Sequence, residues 1–198
     1  MDECCSVAPI AEQQRRVFRT VLAINLGMFV FESVAGILAY STALFADSVD
    51  MLGDALVYGF SLYVVSRGAV WQARAALLKG VIMAAFGVGV LAQVAFKIYQ
   101  GVVPTAEVMG LVGLMAMAAN LLCLVLLWQR RGDDINMRSA WVCSRNDVIG
   151  NAGVLLAALA VSFTGSPWPD IAIGLLIATL FCRSAIAVIS EASREFQK

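Results

Sequence analysis

Ala43-Leu-Phe-Ala-Asp-Ser-Val-Asp-Met-Leu-Gly-Asp-Ala-Leu-Val-Tyr-Gly-Phe-Ser-Leu-Tyr-Val-Val-Ser66 is long enough to cross a bilayer, yet it carries three carboxylates, Asp47, Asp50 and Asp54. Their spacing of three and four residues puts them on one face of a helix. A carboxylate at bilayer depth costs on the order of 3 kcal/mol even on the more lenient scales, and it marks a functional position. Three on one stripe also repel one another, so the stripe needs a counter-charge, and the simplest one is a cation. The competing reading is a soluble helix with one wet face.

Composition decides against that reading. Hydrophobic residues make up 61% of the chain and charged ones 14%, with a mean hydropathy of +0.83. A soluble domain carries about a quarter charged residues. The 198 residues accommodate six spans of roughly 20 residues joined by short loops. The fold expected is therefore all-α, an integral membrane bundle of six transmembrane helices. Spans are placed at 17–40, 43–66, 77–99, 105–128, 139–163 and 170–190. Residues 1–16 form an N-terminal tail and 191–198 a short C-terminal one, too short for a soluble domain. Turns fall at Tyr40-Ser-Thr42, Gly101-Val-Val-Pro104 and Thr164-Gly-Ser-Pro-Trp-Pro169.

Basic residues set the orientation. Arg15, Arg16 and Arg19 precede span one; Arg67, Arg74 and Lys79 separate spans two and three. Arg130, Arg131 and Arg138 separate spans four and five, and Arg194 and Lys198 close the chain. The opposite side has only Lys97, so both termini are expected in the cytoplasm. The chain opens with acids rather than a basic n-region, and its first apolar run is of full span length. That segment is therefore read as a retained span rather than a cleaved signal peptide. The formal net charge is zero, which gives no electrostatic footprint for nucleic acid.

There are no histidines, and the five cysteines (Cys4, Cys5, Cys123, Cys143 and Cys182) are scattered. They do not read as a disulfide framework. Without imidazole, metal or proton chemistry must use carboxylate, thiol, amide or backbone. Cys123 and Cys182 read as small apolar packing residues, and Asn120 as a hydrogen bond between helices. Arg183 either snorkels to the interface or serves the interior. Glu32 either pairs with a base such as Arg145 or lines a water path. The Cys4-Cys5 pair either captures a soft ion or is an unconstrained thiol pair.

Span five adds Cys143, Asp147 and Asn151 on one face. Run antiparallel to span two, it places Asp147 about 13 Å into the bilayer, at a depth close to that of Asp54. Asp50, Asp54, Cys143 and Asp147 thus offer three oxygens and a sulfur to a tetrahedral divalent ion. Asp47 is a proton relay or a replacement ligand, and Arg145 is expected to point away from the site.

Two stretches resemble the cation diffusion facilitators, six-span exporters of divalent metal ions. One is Glu32-Ser-Val-Ala-Gly-Ile-Leu-Ala-Tyr-Ser-Thr-Ala-Leu-Phe-Ala-Asp-Ser-Val-Asp-Met-Leu-Gly-Asp54. The other is Asp134-Ile-Asn-Met-Arg-Ser-Ala-Trp-Val-Cys-Ser-Arg-Asn-Asp-Val-Ile-Gly-Asn-Ala-Gly-Val154. The resemblance covers residues 17–190. It implies that Asp50 and Asp54 are the two ligands of span two and Asp147 the acid of span five. Cys143 stands where the family has His or Asp. The family's cytoplasmic ferredoxin-like domain, which helps its members dimerise, has no counterpart here, nor does its His-rich loop between spans four and five. Residues 129–135 occupy the place of that loop.

The expected function is efflux of a divalent transition metal across the cell membrane by a multi-pass secondary transporter. Metal would exchange for protons by alternating access, since ligands bind deprotonated. Thiolate with carboxylates favours zinc or cadmium; an all-oxygen set with Cys143 aside would suit manganese or iron, and cobalt and nickel stay within range. The partners expected are the metal ion, protons, the lipid bilayer and a second copy in a homodimer. No cofactor besides the transported ion is expected. No nucleophile–base pair or nucleotide loop is present, so an enzyme is not expected. The alternatives are a membrane metal sensor or accessory subunit, and a soft-metal uptake protein.

Overall fold

The computed structural model describes residues 12–64, 69–131 and 135–195. Cys4, Cys5, Arg67, Asp134 and Lys198 lie outside these ranges. Six helices follow one another: α1 (Glu12–Leu38), α2 (Thr42–Val64), α3 (Ala69–Gln100), α4 (Ala106–Trp128), α5 (Ile135–Thr164) and α6 (Trp168–Glu195). No strand occurs among the described residues. Helices suit these apolar runs because every backbone group is satisfied within its own segment. Four stretches, Glu12–Leu38, Gly80–Gln100, Ala106–Trp128 and Cys143–Thr164, are long and apolar enough to cross a membrane.

All six expected spans are helices, but several run further than their apolar cores. α3 begins at Ala69 rather than 77, α5 at Ile135 rather than 139, and α6 continues to Glu195 rather than 190. Hydropathy marks the stretch that lipid tolerates. Backbone hydrogen bonding continues past it through polar residues.

At the end of the bundle that carries the α1–α2 turn, the chain reverses tightly. Tyr40 adopts a left-handed φ of 54°, and Ser41 caps α2 by accepting the Leu44 N–H at 3.1 Å. Gly101 and Gly165, with φ of 64° and 60°, stop α3 and α5. Their N–H groups return to the carbonyls of Lys97 at 2.8 Å and Val161 at 2.9 Å.

This end is held by a buried polar knot. Asp170, at the start of α6, accepts hydrogen bonds from Ser41 Oγ at 2.6 Å, Thr42 N–H at 2.8 Å and Ala43 N–H at 3.1 Å. It also pairs with Lys97 of α3, whose Nζ donates to the Tyr40 carbonyl at 2.7 Å. Both charged side chains are buried, at 3% and 0% exposure. Lys97, which in the sequence is only an orientation mark, joins three helix ends.

α2 is the central helix, packed against α1, α3, α5 and α6, while α3 pairs with α6 and α4 with α5. Close approach depends on small residues. A Cβ on Gly36 would lie 2.9 Å from the Phe45 backbone nitrogen, and one on Gly174 2.8 Å from the Thr42 carbonyl carbon. Along α2, Leu44 belongs to an apolar cluster with Met109, Val112 and Val154, and Tyr58 to another with Phe18, Cys123 and Leu127. The three acids fall between these two clusters.

Candidate metal centre

α5 packs antiparallel to α2, and its Cys143–Asp147 face meets the acidic stripe. The Asp147 carboxylate lies within hydrogen-bonding range of Asp54 and within electrostatic range of Asp50 and Asp47. Asp54 is buried, whereas Asp50, Cys143 and Asp147 are half-buried. The four residues expected from the sequence therefore share one region of the α2–α5 interface. They do not close into a cage: among the described residues, no three cysteine or acidic side chains surround a common point.

Tyr58 is the residue that sequence reasoning passed over. It sits one turn beyond Asp54 with its side chain fully buried, and its hydroxyl donates to Asp54 Oδ2 at 2.8 Å. It also lies within electrostatic range of Asp147 and Cys143. The ring packs against Phe18 with centroids 5.9 Å apart, which fixes where the hydroxyl points. The i, i+4 spacing from Asp54 was a usable signal, but an aromatic residue on an apolar span reads first as packing.

Other polar residues resolve as follows. Arg145 points away from the site, exposed, with its guanidinium 5.6 Å from the Trp141 ring. It therefore does not pair with Glu32, which is fully buried beside Asp47. Asn120 does bridge helices, its amide donating to Asn151 Oδ1 at 3.1 Å. Asn151 shares the helical face of Cys143 and Asp147 but donates its own amide to Asp47. Asp47 thus faces Glu32 and Asn151. Cys123 packs in the cluster around Tyr58, and Arg183 is exposed.

Chemically, the arrangement concentrates negative charge in a membrane-embedded interface. Asp54 and Asp147 lie within hydrogen-bonding range although both are acceptors when ionised, a contact that a shared proton or a bound cation would complete. Carboxylates with one thiol form a donor set for a divalent transition metal.

The profile of the cation efflux transmembrane domain matches residues 19–196. The metal cation efflux system protein CzcD of Cupriavidus metallidurans is 24% identical over 174 residues, covering 82% of this chain and 55% of that protein. The zinc transporter ZitB of Yersinia pestis is 25% identical over 205 residues, covering 96% and 66%. A protein of Bacillus velezensis named as a cadmium, cobalt and zinc/H(+)-K(+) antiporter is 26% identical over 180 residues, covering 83% and 57%. The chain thus spans between about half and two thirds of the length of these relatives.

Proposed function

The chain belongs to the cation efflux transmembrane family, and from this premise we propose that it exports a divalent transition metal, zinc or cadmium first, in exchange for protons. The observation that carries the reading is the meeting of Asp54 and Asp147 from two helices, with Asp50 and Cys143 in the same interface. Membership supports the reading of a membrane transporter rather than an enzyme, and the names of its relatives support metal efflux.

In this reading both termini are cytoplasmic and the protein lies in the cell membrane. Asp50, Asp54, Cys143 and Asp147 bind the ion once alternating access brings α2 and α5 together. Arriving metal displaces protons from the acids, because ligands bind deprotonated. Protons from the far side release it. Cys143 biases the set toward soft borderline ions, since thiolate prefers zinc and cadmium to manganese or magnesium.

The test is uptake of zinc and cadmium into proteoliposomes across an imposed pH gradient, with internal pH read in parallel. Metal accumulation with opposite proton movement supports antiport. Binding without flux overturns it and leaves the sensor reading.

Tyr58→Phe addresses the support of the site. Removing the hydroxyl frees Asp54 to rotate while the ring stays packed. Affinity for zinc, read by calorimetry in detergent, is expected to fall about 10-fold or more, the cost of losing a group that orients a ligand. Thermal stability should change little.

A further inference from the structure

One buried acidic pair lies outside the proposed ligand set. Glu32 of α1 is fully buried, and neither of its carboxylate oxygens meets a hydrogen-bond donor. Its polar neighbour is Asp47 of α2, within hydrogen-bonding range but itself an acceptor, at 3% exposure. Asp47 in turn accepts from Asn151 Nδ2, and Asn151 Oδ1 accepts from Asn120 Nδ2. Besides Glu32, the charged groups within electrostatic range of Asp47 among the described residues are Asp50 on its own helix and Asp147 on α5, both acids; α4 contributes the neutral Asn120.

We propose that Glu32 and Asp47 form a proton-binding site, distinct from the Asp50, Asp54, Cys143 and Asp147 cluster, whose proton is exchanged in transport in addition to those the ligands release. The inference rests on the antiport reading for its role, and on geometry for its existence. Two buried carboxylates in hydrogen-bonding range, with a donor missing, are complete when one proton stands between them. That proton makes one oxygen a donor and removes one of two like charges.

The same geometry selects a proton over a metal ion. The Asn120–Asn151–Asp47 chain fixes the Asn151 amide with its N–H group toward Asp47 and its oxygen turned away. An N–H dipole facing the site repels a metal cation, and only the two carboxylates remain as ligands. A structural transition-metal site takes four protein ligands, two more than this pair supplies.

The pair is also coupled to the metal cluster. Asp47 feels Asp50 and Asp147, so a cation among those acids lowers the negative potential that holds the proton. Metal arrival thereby promotes proton release from Glu32 and Asp47, and metal departure promotes its return. No other reactant is consumed: a carboxylic acid and a carboxylate exchange one proton with water.

The experiment uses the full chain in proteoliposomes with zinc as probe, comparing wild type, Glu32→Gln and Asp47→Asn. A glutamine at 32 supplies the missing N–H to Asp47 and mimics the protonated pair, so folding is preserved. Zinc–zinc exchange without a pH gradient should stay within about 2-fold of wild type, because the ligands are untouched. Accumulation driven by the gradient should fall about 10-fold, with about one proton fewer released per zinc bound. In parallel, infrared spectra of the metal-free protein should show a protonated-carboxyl band that weakens in both variants. An unchanged band, or an unchanged proton count, overturns the inference. If wild type binds zinc without carrying it, the antiport reading fails, and the band alone then decides whether the protonated pair exists.

Discussion

Asp54→Ala is expected to abolish metal transport while leaving a folded bundle. Asp54 is the most buried of the four candidate ligands, and its carboxylate accepts a hydrogen bond from the buried Tyr58 hydroxyl. It is also the acid within hydrogen-bonding range of Asp147, so it stands at the junction of the two helices. Removing it leaves α5 without its counterpart and Tyr58 without an acceptor. A supporting group costs about 10–100-fold in affinity when lost, and a ligand should cost more. Uptake in the proteoliposome assay should fall to the protein-free background. The fold should survive, because the deletion relieves repulsion among Asp50, Asp54 and Asp147. Uptake within a few-fold of wild type would remove Asp54 from the ligand set.

The second large effect lies at the other end of α2. Lys97→Met leaves Asp170 buried and charged without its cation, and breaking a buried pair from one side costs about 3–5 kcal/mol. The Tyr40 carbonyl loses its donor as well. A marked fall in melting temperature in detergent is expected. Lys97→Met combined with Asp170→Asn should recover part of the loss, because no lone charge remains. Recovery should be incomplete, since a neutral amide is a weaker acceptor for Ser41, Thr42 and Ala43. If Lys97→Met alone melts like wild type, the pair contributes nothing to stability.

The contrast between these two sites explains what the sequence could disclose. The acidic stripe of α2 and the Cys143–Asp147 pair are local patterns at helical spacing, legible because charge inside an apolar run is costly. The six helices are legible for the same reason, through their apolar cores. Lys97 and Asp170 stand 73 positions apart, and each lies near a span end, where a charge usually meets water. Nothing in either neighbourhood announces the pairing. A lone base on one side of the membrane and an acid directly after Pro169 were the available signals. Tyr58 was hidden by its chemistry, since most of a tyrosine is hydrocarbon. The partner of Glu32 was hidden by geometry, because any of several helices could have presented one.

The knot around Asp170 also gives α2 a fulcrum. Pinned to α1, α3 and α6 at Ser41 to Ala43, the helix can swing but not slide, and displacement grows with distance along it. Asp54 lies twelve residues from Thr42, a lever arm of about 18 Å at 1.5 Å per residue. A tilt of about 5° about the pin would carry its carboxylate about 1.5 Å, several times the ~0.2 Å tolerance of a metal–oxygen bond. Small rotations at a fixed pivot are therefore enough to assemble or dismantle a coordination shell, with no helix breaking its own backbone bonds.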